Sequence, residues 1–295
     1  MAILLGLLVA LTYGSGDFCG GIASTRSRPS AVVIGAFSIS AGLLILATVG
    51  WWVLGGLPPA TAHDLWIGVV VGAIGPVAVG LLYRGLALGR MSVVAPITAV
   101  VAAVVPFAWG LLHGERPSAV AVAGALAALV AVGLISSAPA HPENAADDDG
   151  TPISLVVTAL VSGLGFGVVF VLLAQASSDA GLWPLFSARL VAVGLSVVGF
   201  AIWVRIRPQP LRPNLVPVAG TWAAVAGAGA LDVTANAIYL SATQRGLLSI
   251  VAVLSSLYPA STVILARVFL NERLHRSQLI GLLLAAAGVV AMAAT

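Results

Sequence analysis

Long apolar runs broken by short polar turns fill this chain from end to end. The runs predict helices at about 2–22, 31–54, 65–85, 92–112 and 118–136, then at about 153–175, 183–203, 217–240, 247–270 and 277–294. Each is long enough for the roughly 20 residues that cross a bilayer. One polar interval stands apart, SSAPAHPENAADDDGTP, which holds Glu143, Asp147, Asp148 and Asp149. Its acids and prolines read as a linker between halves. The domain reading is therefore a first unit at 1–137, an acidic linker at 138–152 and a second unit at 153–295. The segment from Leu231 to Leu274 is the most informative. There Asp232, Asn236 and Tyr239 recur at helical spacing, four and three apart, and a Tyr258-Pro259 pair interrupts the next apolar run.

Composition supports the same picture. Of the 295 residues 60% are hydrophobic and 8% are charged, against roughly 25% charged in a soluble domain. So few charges cannot coat a water-facing surface, so the fold class is an all-α polytopic membrane protein of ten transmembrane helices. The net charge of +3 comes entirely from arginines, because the chain has no lysine. Most of them lie between apolar runs, as anchors rather than as a nucleic-acid surface. The single cysteine, Cys19, has no metal-ligand spacing and reads as a packing residue. The first run lacks a basic leader, and Asp17 stands where a cleavage site would follow, so it reads as the first transmembrane helix.

The two halves repeat. A shift of 157 residues carries Ser92 onto Ser249, Val94 onto Val251, Glu115-Arg116 onto Glu272-Arg273 and Gly124 onto Gly281. A shift of one less carries Tyr83 onto Tyr239. Five helices is an odd number, so a second copy must enter the membrane from the opposite face. Inverted repeats of this kind build secondary transporters, with a substrate site near the midplane.

These residues carry a family resemblance. The chain resembles the drug/metabolite transporter superfamily, of the ten-helix, two-repeat EamA type. The matching stretches are Gly14–Phe18, Gly114–Arg116, its copy Asn271–Arg273, and the Ser-Leu-Tyr-Pro run Ser256–Pro259. The resemblance implies export of amino acids, other metabolites or drug-like compounds across the cell (inner) membrane. One departure matters: Asp17 stands where many relatives carry a neutral residue, so the resemblance lends that carboxylate no role.

Charge inside a bilayer is costly and marks a cavity or a pair. Three residues qualify: Asp17, Arg189 and Asp232. Asp17, one turn after Tyr13, reads either as a cavity carboxylate that binds a cation or proton, or as an interfacial residue paired with Arg26 or Arg28. Asp232 lies deeper. Burial disfavours the charged form of a carboxyl group, which suits a proton site, with Asn236 and Tyr239 as hydrogen-bond partners; the alternative is an interhelical lock. Arg189 would hold Asp232 or Asp17, or bind a solute anion. Tyr83, Trp109, Trp183 and Tyr258 are candidates for the cavity wall, although aromatic residues also gather at membrane interfaces. Glu115 and Glu272 read as turn caps.

The sequence points away from an enzyme. His63, His113, His141 and His275 do not pair at metal spacing, and no nucleophile elbow or phosphate loop is present. No cofactor is expected. The expected partners are a small-molecule substrate, membrane lipid and, where transport is active, protons; nucleic acid is not among them, and monomer and homodimer both fit. Uncoupled facilitation, and a non-transporting sensor or lipid-acting enzyme, are the rival roles. Ten arginines fall on one predicted face and two, Arg116 and Arg245, on the other. That count sets both termini outside, whereas many relatives are drawn with both inside.

Overall fold

The computed structural model describes residues 1–56, 58–87, 91–136, 152–206, 215–269 and 274–294. Most of the acidic linker, Tyr83's side chain and Glu272 lie outside the described residues. Among those described, all regular structure is helical. The helices are α1 (Ala2–Ser24), α2 (Pro29–Gly55), α3 (Ala62–Ala87), α4 (Met91–Leu112), α5 (Ala119–Ser136), α6 (Pro152–Ala174) and α7 (Trp183–Ile206). A short 3-10 turn, Ala219–Thr221, leads into α8 (Trp222–Thr243). Then come α9 (Leu248–Ser255), α10 (Tyr258–Phe269) and α11 (Arg276–Ala293). Nine stretches among the described residues are long and apolar enough to cross a membrane, and α4 adds a further apolar helix, Ile97–Leu112.

The sequence expected one ninth helix, and the structure divides it into α9 and α10. The cause is local chemistry. Pro259 has no N–H to give to Ser255 and its ring crowds the preceding turn. The serines before it bond back along the chain: Ser255 Oγ donates to the Val251 carbonyl at 2.7 Å and Ser256 Oγ to the Val253 carbonyl at 2.7 Å. Carbonyls near a break in an apolar helix thereby keep partners where water is scarce.

The chain forms two compact units. One comprises Met1–Leu11, Val77–Ala174 and Ile238–Thr295; the other comprises Thr12–Pro76 and Gln175–Ala237. Each therefore draws on both sequence halves.

The first unit is held by small residues. Its core gathers Ala99, Ala103, Ala125, Ala128, Val132, Leu254 and Ala285. Where α5 meets α11, a Cβ placed on Gly124 would come within 2.7 Å of the Gly288 carbonyl. Only a residue without a side chain permits that approach, and close backbone contact is what drives helix association in lipid. Thr98 Oγ1 donates to the Ala159 carbonyl at 3.2 Å and Ser162 Oγ to the Ala78 carbonyl at 2.8 Å.

The second unit uses more polar stitching. Asp64 is fully buried at the start of α3. It accepts hydrogen bonds from Thr61 Oγ1 and, at 2.8 Å, from the Ser177 backbone N–H. Trp183 Nε1 donates to the Pro58 carbonyl at 2.8 Å. Ser187 Oγ on α7 donates to the Leu65 carbonyl on α3 at 3.1 Å.

Candidate functional site

The second unit also contains the membrane-embedded charges. Helix α1 shows why Asp17 matters. Leu4, Leu8, Leu11 and Ile22 are exposed along one stripe of α1, which reads as its lipid face. At about 100° per residue, Asp17 lies roughly 140° around the helix from the middle of that stripe. Its neighbours Gly14, Gly16 and Gly20 are buried, yet Asp17 is exposed. Asp17 is thus exposed on the side of α1 turned away from the leucine stripe.

Helix α8 repeats the pattern. Val225, Ala228, Ala235 and Asn236 define its buried face, and Asp232 sits in the middle of it with a side chain that is still 32% exposed. The two helices touch at this level: a Cβ on Gly16 would lie 3.4 Å from Leu231 Cβ and 3.7 Å from the Asp232 backbone nitrogen. The carboxylates of Asp17 and Asp232 are close enough to interact electrostatically.

Arg189 on α7 completes the group. Its guanidinium forms an ion pair with Asp232 and lies over the Phe37 ring of α2, 5.0 Å from the centroid. Such a stack stabilises a desolvated cation by its contact with the ring face. Asn236 Nδ2 donates to the Asp232 backbone carbonyl at 2.8 Å and, more weakly, to its carboxylate at 3.4 Å. Asp17 has no ion-pair partner among the described residues. The arrangement thus sets two carboxylates beside one guanidinium, and the guanidinium is committed to one of them.

The structure brings together Asp17, Arg189, Asp232 and Asn236. Tyr13 is half-buried, one turn before Asp17. Tyr239 lies elsewhere: it belongs to the first unit and is fully buried. Its hydroxyl donates to the Phe170 carbonyl at 3.3 Å, and the two rings tilt against each other at 4.8 Å. Tyr258 starts α10 and packs, half-buried, on the first unit's core. Tyr83 is helical within α3, and its side chain lies outside the described residues. Of Arg189's two candidate partners, the structure pairs it with Asp232. Sequence reasoning missed Phe37, because a phenylalanine in an apolar helix carries no signal beyond packing.

Glu115 does what its place in a turn suggests. Gly114 adopts φ +94°, a conformation glycine tolerates, and turns the chain so that Glu115 faces the start of α9. Its carboxylate accepts hydrogen bonds from the backbone N–H groups of Leu248 at 2.6 Å and Ser249 at 2.9 Å. Among the described residues no cluster of three or more metal-ligating side chains occurs.

Comparison with known proteins bears on what this arrangement serves. The model of the EamA-like transporter family matches residues 1–137 and 153–294. A solved crystal structure of a protein superposes with a TM-score of 0.75 at 18% identity, covering 98% of this chain and 95% of the other. At that identity the likeness shows the fold. A search of curated proteins finds no match. Two matched halves, together spanning nearly every residue and made of apolar helices of bilayer length, place this multi-pass membrane protein in the EamA-like transporter family.

Proposed function

We propose that this chain is a secondary transporter of small organic solutes, working by alternating access and coupled to protons through Asp17. The observation that carries the reading is the unequal treatment of two neighbouring carboxylates. Asp232 is neutralised by Arg189; Asp17, exposed on the inward side of α1, is not. A carboxylate in a low-dielectric site without a cation beside it is stabilised by taking up a proton or a positively charged ligand. Inverted repeats of five helices supply two pseudo-equivalent shapes for opening to either side. Export across the cell (inner) membrane, through a monomer or a homodimer, is the direction the family favours.

Reconstituted proteoliposomes test this. With a panel of amino acids and amines, a pH gradient should drive solute flux, read together with a trapped pH-sensitive dye. Asp17→Asn should lose the gradient-driven part by about a hundredfold while melting like the parent. Gradient dependence that survives in the variant refutes coupling through Asp17. The closed Arg189–Asp232 pair supports one rival, an uncoupled facilitator with structural carboxylates; it predicts equal flux with and without the gradient.

A further inference from the structure

The charge balance around Asp17 restricts the class of solute that can dock there. Arg189 is engaged on two sides, by the Asp232 carboxylate and by the Phe37 ring, and its side chain is only 12% exposed. Asn236 in turn donates to Asp232. A solute carboxylate seeking Arg189 would have to displace a partner that is covalently held in place and already hydrogen-bonded. Such a fixed competitor acts at high effective concentration.

Asp17 offers the opposite. Helix α1 brings no second charge to this level; its Cys19 lies against Gly227 of α8. Asp232 comes from α8, Arg189 from α7, and α2 contributes the uncharged Phe37. Among the described residues, two ionised carboxylates and one guanidinium leave a single uncompensated negative charge. A proton removes it, and so does one organic ammonium group. Tyr13, one turn away on the same side of α1, adds an aromatic face of the kind that favours cations.

We infer that Asp17 is the docking point of a singly charged organic amine, which exchanges there with a proton. Docking converts the protonated carboxyl to a carboxylate–ammonium pair and releases one proton to water. This rests on the transporter reading but is separable from it by experiment.

Phenethylamine and phenylacetate share a ring and a short side chain, and carry opposite charges. Calorimetry on the full-length purified chain, in buffers of different ionisation heat, reads both binding and proton release without any gradient. Phenethylamine should bind with release of up to one proton, the full proton appearing where the free carboxyl is protonated, and its affinity should fall as the solution is acidified; phenylacetate should not compete. Asp17→Asn should weaken amine binding by at least about tenfold with an unchanged melting transition, and Asp17→Glu should restore much of it. Binding of phenylacetate, no binding of either probe, or amine binding indifferent to Asp17→Asn would each overturn the inference. Gradient-driven flux without amine binding would leave the transporter reading standing; amine binding without flux would do the reverse.

Discussion

Glu115 and Asp17 carry the same chemical group into two different regions. Around Glu115 every demand is met: its two oxygens take the N–H groups of Leu248 and Ser249, which the first turn of α9 would otherwise leave without partners. The positive end of a helix favours the negative charge as well. Around Asp17 none of this is present. No guanidinium pairs with it among the described residues, and Asp232 adds a second carboxylate that interacts with it electrostatically. A saturated acid fixes structure and has little left to give a ligand. An unsaturated one costs stability and is kept where something else supplies the missing charge. The state of the hydrogen bonds, rather than the residue type, separates a carboxylate that fixes structure from one left open to a ligand.

The largest effect should come from breaking the one committed pair. Asp232→Leu leaves the Arg189 guanidinium stacked on Phe37 without its counter-charge. Removing one partner of a buried pair costs about 3–5 kcal/mol, and the partial exposure of Asp232 places this one near about 3 kcal/mol at most. Thermal unfolding in detergent should show it as a clear drop in melting temperature. The double variant Arg189→Met with Asp232→Leu should recover most of the loss, since a buried pair replaced by apolar groups is close to neutral. Amine binding should survive in the double variant, because removing one charge of each sign leaves Asp17 as the uncompensated carboxylate. If Asp232→Leu melts like the parent, the pair is not holding α7 to α8, and its contrast with Asp17 loses its meaning.

Much of the fold was legible because lipid imposes a simple rule. Backbone polar groups must be paired within the segment, so each long apolar run had to be a helix, and the polar breaks fixed where each one stopped. The division of the ninth helix was signalled by Tyr258-Pro259, but not its extent. That depended on Ser255 and Ser256 reaching back to Val251 and Val253. The site was legible as a set of expensive residues and not as an arrangement. Asp17, Arg189 and Asp232 announce themselves by being charged in apolar surroundings. Which carboxylate takes the arginine depends on how helices far apart in sequence line up, and on Gly16 allowing α1 to lie against α8. No spacing along the chain records that.

The other side of the comparison is tested at Glu115. Glu115→Ala strips two charge-assisted hydrogen bonds from the start of α9 and should cost about 1–2 kcal/mol. Glu115→Gln keeps one acceptor and should cost about half as much. Neither should alter amine binding or the pH dependence of flux. A loss of ligand binding in Glu115→Gln, at unchanged stability, would make this carboxylate a working group too.

The smallest effect is expected at Tyr239, which shares a helix with Asp232 and Asn236 but not their surroundings. Spacing alone put the three on one face; burial separates them, with Asp232 partly open and Tyr239 closed off against Phe170. Tyr239→Phe keeps the ring contact and deletes only the hydroxyl, along with its long bond to the Phe170 carbonyl. Hydrogen bonds between membrane helices average about 0.6 kcal/mol, and a 3.3 Å bond belongs at or below that figure. Melting temperature should fall slightly, and flux and its response to pH should stay as in the parent. A Tyr239→Phe variant that folds normally yet loses its pH response would place the hydroxyl in the proton path. Tyr239 would then have to be counted with Asp17 as a titrating group rather than as a packing residue.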